Sequence, residues 1–529
     1  MSEGVNAAAG VERLGTVAFA TSCSAEVKAP FDRGVALLHD FWYEEARDQF
    51  KQILAADPGC AMAHWGVAMS SYQEIWSHPT ESTMASGWKE MQQAQAAGAK
   101  TERERGYLDA LSAFYQPGPA EYQARVEAYS AAMGRLYKGY PKDVDAGAFY
   151  ALSLIAVKTE TDTTLDQERK AMAVLVPLFK AYPDNPGVVH YIIHACDSPT
   201  MARQGLAAAD HYGEIAPSGS HAVHMPGHIY ARLGMWDKDI AVNSVAVEDS
   251  ERALEEHKSG GFDQLHADDF LIYAYLQSGQ EAKAKEVLDS SGEAIDHLQA
   301  MPDMGDGMAA MGMETFYRTE LQMIYDLELR DWQAALALRP TAGAAARTRL
   351  LAIWARAVAA GHLKDAQQAR DNFAAYKVEV MSISKGRHPE YLSSTSVQIK
   401  TGEIMGWTAY AEGRTQEALD ALSKAADLQD KVGQGEVDIP AREMLADMLL
   451  ALHRDKEARG EYDRALVLSP NRFNGLYGAG MAAEAMGDKA GAARYYAALL
   501  KSTGDGASSS RPELGHAKGA VGAGQVAKR

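Results

Sequence analysis

The chain has 529 residues, a formal net charge of −19, 47% hydrophobic residues and only 8% aromatic residues. The acidic balance argues against a nucleic-acid partner, because a phosphate backbone requires a basic stripe and the sequence carries none. No apolar stretch approaches the ~20 residues that a membrane-spanning helix needs. Abundant alanine, leucine, glutamate and lysine favour helix. A chain of this length can be built from repeated helical units, because a solenoid needs only contacts between neighbouring repeats and no single core.

Residues 1–26 are predicted to be a lead-in segment that precedes the first helix. The opening MSEGVNAAAGVERLG has neither the basic nor the apolar region of a signal peptide, which favours a cytoplasmic protein. The alternative is a periplasmic or exported protein from which a signal was removed. In that case Cys23 and Cys60 would pair as a disulfide, whereas in the cytoplasm they would be two buried thiols.

Residues 27–185 are predicted to form the first helical repeats. Gly34 and Phe50 stand at positions where two helices cross, Pro58 ends the second helix, and a new helix begins at CAMAHWG (60–66). Small residues at such crossings allow antiparallel helices to pack closely. The segment therefore predicts helix–turn–helix units.

Two pairs of histidines stand in the central segment, residues 186–290. His190 and His194 belong to HYIIH, and His224 and His228 belong to HMPGH. Corresponding members are 34 residues apart (224−190 and 228−194), which is the period of a helix–turn–helix repeat. Four imidazoles are therefore expected at equivalent places on neighbouring helices. A helical repeat needs no histidine there in order to fold, but metal binding or catalysis would.

Pro226 falls inside the second histidine pair. Proline within a helix removes a backbone hydrogen bond, so it predicts a break or a kink at this point unless it lies in the first turn. The break would either turn the preceding histidines inward or separate them from the face of the following helix.

Residues 291–345 are predicted to be irregular and helical, with a methionine-rich loop MPDMGDGMAAMGM at 301–313. Five thioethers in thirteen residues would suit copper(I). The other interpretation is a flexible loop in which methionine fills gaps.

Residues 346–503 are predicted to be regular repeats, and residues 504–529 a disordered tail. Ala458 and Ala492 are one period apart, as are Tyr462 and Tyr496. The tail is rich in glycine, serine and charge and has no apolar period. Glycines in the repeats are expected to end the first helix of a unit at positions 234, 279, 361, 413 and 487.

Together these features resemble the tetratricopeptide-repeat family over roughly residues 27–503. The central segment, HYIIHACDSP followed by HAVHMPGHIYARLG, resembles bacterial members. The resemblance implies an all-α, right-handed solenoid of antiparallel helix pairs, with first helices near 187–198, 221–234 and 265–278. It also implies that positions 2, 5 and 9 of each first helix face a ligand on the concave surface.

In that register, six histidines and one aspartate share one wall, and Asp197 follows His194 by three residues. The candidate metal ligands are therefore His190, His194, His221, His224, His228, His266, Asp197 and Asp269. Two histidines with a carboxylate suit iron(II), a larger set of imidazoles suits copper, and zinc accepts either. Neither histidine pair has the glutamate of the HExxH protease motif. His39 and His64 are weaker candidates for the same groove.

Two functional readings remain at this stage. The first is a metalloprotein that holds copper, iron or zinc through the central histidines, as an oxidase or oxygenase acting on a small molecule or a peptide. The second is a metal-free scaffold that binds a peptide or protein partner in its concave groove. The presence of a bound metal in protein purified without a histidine tag distinguishes them.

Overall fold

The structure is a computed structural model that describes residues 12–72, 75, 79–159, 161–255, 261–300, 312–385, 389–435, 437–504 and 509–526. The regular elements in these ranges are all helices, which confirms the all-α prediction. Consecutive helices pack side by side as antiparallel pairs, as the resemblance implies. Within these ranges no helix is both long and apolar enough to cross a membrane.

The chain divides into two compact units. The first comprises Met1–Val157, Gln167–Ala195 and Leu206–Pro226, and the second comprises Lys158–Asp166, Cys196–Gly205 and Gly227–Arg529. The predicted central segment is therefore divided between the units, with its main boundary at Pro226.

Eleven helices lie wholly or mainly in the first unit, after a short 3-10 turn at Ala25–Val27. They are α1 Lys28–His39, α2 Tyr43–Ala56, α3 Ala61–Met69, α4 Glu81–Ala97, α5 Glu102–Tyr115, α6 Tyr122–Gly139, α7 Val144–Ala156, α8 Asp166–Ala181, α9 Pro186–Cys196, α10 Ala202–Ile215 and α11 Ser220–His224.

The helices of the second unit follow, with a 3-10 turn at Pro389–Ser393. They are α12 Pro226–Arg232, α13 Trp236–Glu255, α14 Gly261–Gln277, α15 Glu281–Ala300, α16 Met313–Glu328, α17 Trp332–Ala337, α18 Ala346–His362, α19 Ala366–Lys385, α20 Thr395–Ala411, α21 Thr415–Val432, α22 Ala441–Ala451, α23 Asp455–Leu468, α24 Phe473–Ala485, α25 Lys489–Ser502 and α26 Pro512–Val526.

The predicted first helices of the central repeats are present with small shifts. α9 and α14 begin and end within a few residues of the expected bounds. The expected helix at 221–234 is interrupted at Met225, so that α11 ends at His224 and α12 begins at Pro226. The break follows from proline, whose nitrogen carries no hydrogen to donate.

Aromatic side chains of the second helices press against glycines of the first helices. A Cβ added at Gly66 would lie 2.4 Å from the ring of Phe50, and a Cβ at Gly478 would lie 2.3 Å from the ring of Tyr462. Both contacts are far below an ordinary van der Waals separation, so only glycine admits the aromatic ring. The same 16-residue spacing of aromatic residue and glycine (66−50 and 478−462) thus sets the distance between these neighbouring helices.

The turns between paired helices use residues with positive φ. Gly234, Gly279, Gly413 and Gly487 all have φ between 61° and 78°, as the sequence predicts. The prediction for Gly361 is wrong, because this glycine lies inside α18 and its turn is closed by a later residue. Gly361 instead makes room for an indole, since a Cβ there would lie 2.6 Å from the Cβ of Trp407.

Cys23 and Cys60 form a disulfide, so the paired alternative holds rather than the two free thiols. The bond links the lead-in segment to the start of α3 across 37 residues of sequence. In the chain-entropy model, closing a loop of this length stabilises the folded state by about 4 kcal/mol.

The expected disorder of the tail is wrong for residues 512–526, which form α26. Leu514 and Ala517 are buried against α25, and the guanidinium of Arg511 lies 3.4 Å from the centre of the Phe473 ring. Small residues let this helix approach closely, so a single leucine anchors it without an apolar period. The methionine-rich loop at 301–311 lies outside the described residues.

The second unit closes on itself, because its last helices contact its first. The indole N–H of Trp236 donates to the carbonyl of Asn471 at 3.0 Å, and the backbone N–H of Phe473 donates to Gln277 at 2.8 Å. Between them lies Arg472, which is 1% exposed and forms ion pairs with Glu328 at 2.9 Å and Glu443 at 2.8 Å. The interior of the unit is therefore occupied by its own charged side chains.

A second titratable group of this unit is His362, which is half-buried. Its ring stacks between the indoles of Trp332 and Trp407, with centroid distances of 3.7 Å and 3.8 Å. Burial and the positive charge of Arg330 hold the pKa of His362 well below its ordinary value of 6.5. The imidazole is therefore neutral in the folded protein at physiological pH.

Replacing the buried arginine tests the closure of the second unit. Arg472→Ala leaves the carboxylates of Glu328 and Glu443 buried without their partner, and should reduce stability by about 3–5 kcal/mol. Thermal unfolding followed by circular dichroism measures the loss. Arg464→Ala, at a side chain that is 53% exposed, is the control and should cost less than about 1 kcal/mol. Equal melting temperatures for the two variants would show that the buried pairs do not hold the unit closed.

The stacked histidine gives the protein a pH dependence of known sign. Unfolded His362 takes up a proton near pH 6.5, whereas the folded side chain resists it, so stability is full above pH 6.5 and falls as the pH drops below it. His362→Phe keeps the ring and removes the titration, which should flatten the dependence of melting temperature on pH between 7.5 and 5. His516→Phe, at a 40% exposed side chain, should keep the wild-type slope. Parallel curves for wild type and His362→Phe would contradict this assignment.

Candidate metal centre

Three histidines of the first unit converge. His190 and His194 lie one turn apart on α9, and His221 lies in the first turn of α11. Each offers one ring nitrogen, and these three nitrogens lie within 4.8 Å of one another. His190 is completely buried and His221 is 7% exposed, while His194 is partly exposed. The 34-residue register predicted a shared wall, and in the first unit the structure places these three side chains together.

The hydrogen bonds of His190 fix its tautomer. Its Nδ1 lies 2.6 Å from the backbone carbonyl oxygen of His39, which can only accept, so Nδ1 carries the hydrogen. The neutral ring then presents the lone pair of Nε2. The Nε2 of His194 lies 3.0 Å from that atom. Two nitrogens this close can either share a hydrogen or both reach one ion at about 2.0–2.1 Å.

The carbonyl that orients His190 is itself held in a buried network. The ring of His39 contacts the hydroxyl of Tyr191 at 3.0 Å and a carboxylate oxygen of Asp145 at 3.1 Å. Asn185 donates to the same oxygen of Asp145 at 3.0 Å. These residues orient a candidate ligand without touching an ion, which is the usual outer shell of a histidine metal site.

A glycine on α9 makes this network sterically allowed. A Cβ at Gly187 would lie 2.3 Å from Nδ1 of His39. Any larger residue would push the His39 ring away from Tyr191 and move its carbonyl relative to His190. Gly187 thus gives space to His39, the histidine that orients His190.

Phe41 lies against all three imidazoles. Its ring centre is 4.4 Å from that of His190, 5.4 Å from His194 and 5.7 Å from His221. The residue occupies the turn between α1 and α2 with φ of 58°, a left-handed conformation that is unfavourable for a bulky side chain. Equivalent turns elsewhere use glycine or a polar residue, so packing on the histidines accounts for phenylalanine here.

A buried carboxylic acid lies behind the cluster. Asp40 accepts a hydrogen bond from the Tyr212 hydroxyl at 2.7 Å, and the Tyr212 ring stacks on His190 with centres 5.2 Å apart. Burial raises the pKa of Asp40 well above its ordinary range and outweighs the opposing hydrogen bond from Tyr212. The same burial, with the Asp40 charge, raises the pKa of Tyr212. A carboxyl group and a phenol, both shielded from water, therefore lie on this side of His190.

The remaining predicted residues are placed as follows. His224, at the end of α11, is 2% exposed, and its ring centre lies 6.2 Å from that of His221. In the second unit, the ring centres of His228 and His266 are 5.5 Å apart. His64 bonds to Glu90 at 2.7 Å and takes no part in the cluster of α9 and α11.

The two predicted aspartates lie beside histidines of the second unit. A carboxylate oxygen of Asp197 is 3.0 Å from Nδ1 of His228, and its other oxygen accepts from Arg232 at 2.9 Å. An oxygen of Asp269 lies 3.5 Å from Nδ1 of His266. In both pairs the carboxylate lies beside Nδ1 of the ring, so an ion would bind at the other nitrogen, Nε2. That Asp197 completes a set of ligands with His194 stays a prediction.

Sequence reasoning missed the contributions of Phe41, Asp145 and the backbone of His39. Their distance along the chain from α9 exceeds any local pattern, so only packing reveals them. One signal was available: a glycine in the first turn of α9, directly before large apolar residues, indicates that another group approaches the helix there.

No family model matches this chain, and no curated protein matches it. Solved structures with a loose likeness include two of the human IFIT1 dimer: with PPP-AAAA at 13% identity, 88% coverage of each chain and a TM-score of 0.38, and with m7Gppp-AAAA at 13% identity, 92% and 91% coverage and a TM-score of 0.37. Naa15/Naa10 bound to HypK-THB is similar at 11% identity, with 93% and 90% coverage and a TM-score of 0.25. At these TM-scores the likenesses support no conclusion about this chain.

The glycine beside His39 provides a test of the network. Gly187→Ala should lower stability by about 1–3 kcal/mol, because the added methyl group displaces a buried imidazole. Gly213→Ala is the matched control, since its Cβ would meet nothing within 4 Å on α10. Removing a flexible residue from a helix should there be neutral or stabilising, by up to about 1 kcal/mol. Thermal unfolding of both variants measures the contrast, and its absence would refute the close contact of α9 with His39.

Proposed function

We propose that this protein binds a transition metal ion through His190, His194 and His221. The observation that carries the proposal is the convergence of three imidazole nitrogens within 4.8 Å, two of them on adjacent turns of one helix. A buried cluster of like side chains costs desolvation without adding apolar packing, so stability alone does not account for it. A bound ion that accepts the lone pairs of all three nitrogens would account for the cluster.

The ligand set favours copper or zinc. Imidazole is a good ligand for both metals, whereas iron(II) sites of this size usually include a carboxylate. The predicted carboxylate, Asp197, bonds to His228 and Arg232. We therefore rank copper and zinc above iron for the cluster in the first unit.

We extend the proposal to His228 and His266 as ligands of a second metal-binding position. Each ring has a carboxylate near Nδ1, from Asp197 or Asp269, and such carboxylates orient a ligating histidine and increase its basicity. Phe270 lies against both rings, with centres 4.7 Å and 5.5 Å away, and limits water around them.

Three protein ligands leave a coordination position for water or a substrate, which is the arrangement of catalytic rather than structural sites. An ion bound there would supply Lewis-acid chemistry, or electron transfer if it is copper. The chain's own contribution would be to orient His190 through His39 and to exclude water with Phe41. We propose a metal-dependent oxidoreductase acting on a small molecule or a peptide as the activity.

The peptide-binding scaffold is the second candidate. It requires an open groove, yet the interior of the second unit holds the ion pairs of Arg472 with Glu328 and Glu443. We therefore favour the metal site.

Metal content of purified, untagged protein tests the proposal. After anaerobic reconstitution with copper or zinc and removal of excess ion, wild type should retain metal. His194→Ala and His221→Ala should each reduce retention in the first unit by tenfold or more. Because both rings pack on Phe41, thermal unfolding of the metal-free variants checks that they still fold. His516→Ala, on α26, is the control and should bind as wild type. Spectroscopy of the copper(II) form should show imidazole nitrogen ligands that decrease in number in the two variants.

Two outcomes would contradict the proposal. Wild type that retains neither metal would favour the scaffold. Equal retention in wild type and both variants would place the bound ion elsewhere.

A further inference from the structure

An extended segment of the first unit, residues 12–24, crosses that unit and is called the strap below. The strap has no helix of its own, and its backbone bonds to distant parts of the unit. The N–H of Gly15 donates to the carbonyl of Ile215 at 2.9 Å, and the N–H of Thr16 donates to the carbonyl of Asp184 at 2.7 Å. Arg13 exchanges two further bonds with Ser218, at 2.8 Å and 3.3 Å.

These partners immediately precede the helices that carry the histidine cluster. Asp184 lies two residues before α9, which holds His190 and His194. Ile215 is the last residue of α10, and Ser218 lies in the connection from α10 to α11, which holds His221. The strap therefore joins the N-terminal ends of both histidine helices through adjacent residues of one strand. A displacement of the strap would release that connection close to the three imidazoles.

The crossing requires glycine at one point. Gly15 has φ of 82°, and a Cβ there would lie 2.8 Å from the ring of Pro186, the first residue of α9. The next residue has no such constraint, because the side chain of Thr16 is exposed. Substitution by alanine is therefore sterically unfavourable at Gly15 and allowed at Thr16.

The other end of the strap is anchored in two ways. Phe19 is 1% exposed and lies among Phe31, Trp65 and Tyr107, with ring centres 5.1–5.6 Å away. Four residues later, the disulfide Cys23–Cys60 fixes the strap to α3. An extended strand with few side chains buried loses much conformational entropy on docking, and the covalent link lowers that cost.

We propose that the strap is a positioning element for the histidine cluster, and that the Cys23–Cys60 disulfide sets how firmly it docks. Reduction by a dithiol through thiol–disulfide exchange would convert the bond into two cysteine thiols, with the dithiol leaving as its own disulfide. The freed strap would loosen the ends of α9 and α11 and weaken metal binding. The inference rests on the proposed metal site and adds that its affinity depends on the oxidation state of a disulfide outside α9 and α11. Disulfides persist in oxidising compartments, so metal binding would be strongest there.

The first experiment compares neighbouring substitutions in the full chain with its disulfide intact. Gly15→Ala should displace the strap and weaken zinc binding by about tenfold or more, as loss of outer-shell support does in other metal sites. Thr16→Ala keeps the backbone bond to Asp184 and should bind zinc within about twofold of wild type. The visible spectrum of the cobalt(II)-substituted protein should change in the first variant only, because it reports ligand geometry rather than stability.

The second experiment removes the disulfide by combining Cys23→Ser with Cys60→Ser. Serine is used in place of a reductant because reduction would create a second zinc site. The two free thiols and the carboxylate of Asp57 would together offer three ligand atoms. Zinc affinity should fall as in Gly15→Ala. Amide hydrogen exchange should accelerate in the strap and in the first turns of α9 and α11. This variant also serves if Gly15→Ala does not fold.

The results separate this inference from the proposed function. A strap that exchanges rapidly while zinc affinity equals that of wild type overturns the inference and leaves the metal site standing. If wild type binds no zinc or copper, the proposed function fails. Hydrogen exchange then decides the inference alone: faster exchange at the ends of α9 and α11 supports the positioning role, and unchanged exchange refutes it.

Discussion

The close approach of paired helices is the constraint on which this structure depends. It is achieved where an aromatic ring from one helix lies directly on a glycine of another, as Phe50 does on Gly66 and Tyr462 does on Gly478. Because the fit leaves no room for a methyl group, the distance between neighbouring helices is defined in each repeat. Repetition of that separation places residues with the same position in the repeat on neighbouring helices at the same depth. The histidine cluster of the first unit, however, joins His190, His194 and His221, which hold different positions in the repeat.

The histidine cluster uses the same device for another purpose. Gly187 again accepts a ring, but the ring is the imidazole of His39 rather than a hydrocarbon. The backbone carbonyl of His39 then fixes the tautomer of His190. The packing rule that stabilises the repeat therefore also directs the Nε2 lone pair of His190 toward His194. Phe41 packs on the same imidazoles from a left-handed backbone conformation.

The closure of the second unit limits what this chain can bind. Solenoids commonly use their concave surface for extended partners. Here Arg472 and its two glutamates occupy the interior, and residues near 234 and 277 bond to residues near 471. Removing such charges from water is costly unless each is paired, so the network tolerates little rearrangement.

The sequence by itself determined the helical class, the 34-residue spacing and the equivalence of the histidines, because these depend on local periodicity. It also located the turn at Gly487 and the break at Pro226, since glycine and proline act through their own backbone. Only the tertiary structure decided that His190, His194 and His221 meet in the first unit, that Asp197 pairs with His228, and that residues 512–526 dock as a helix. The strap and the backbone of His39 are equally invisible in the sequence. Each of these features joins residues far apart along the chain, and such contacts follow from how whole helices pack, which no local pattern encodes.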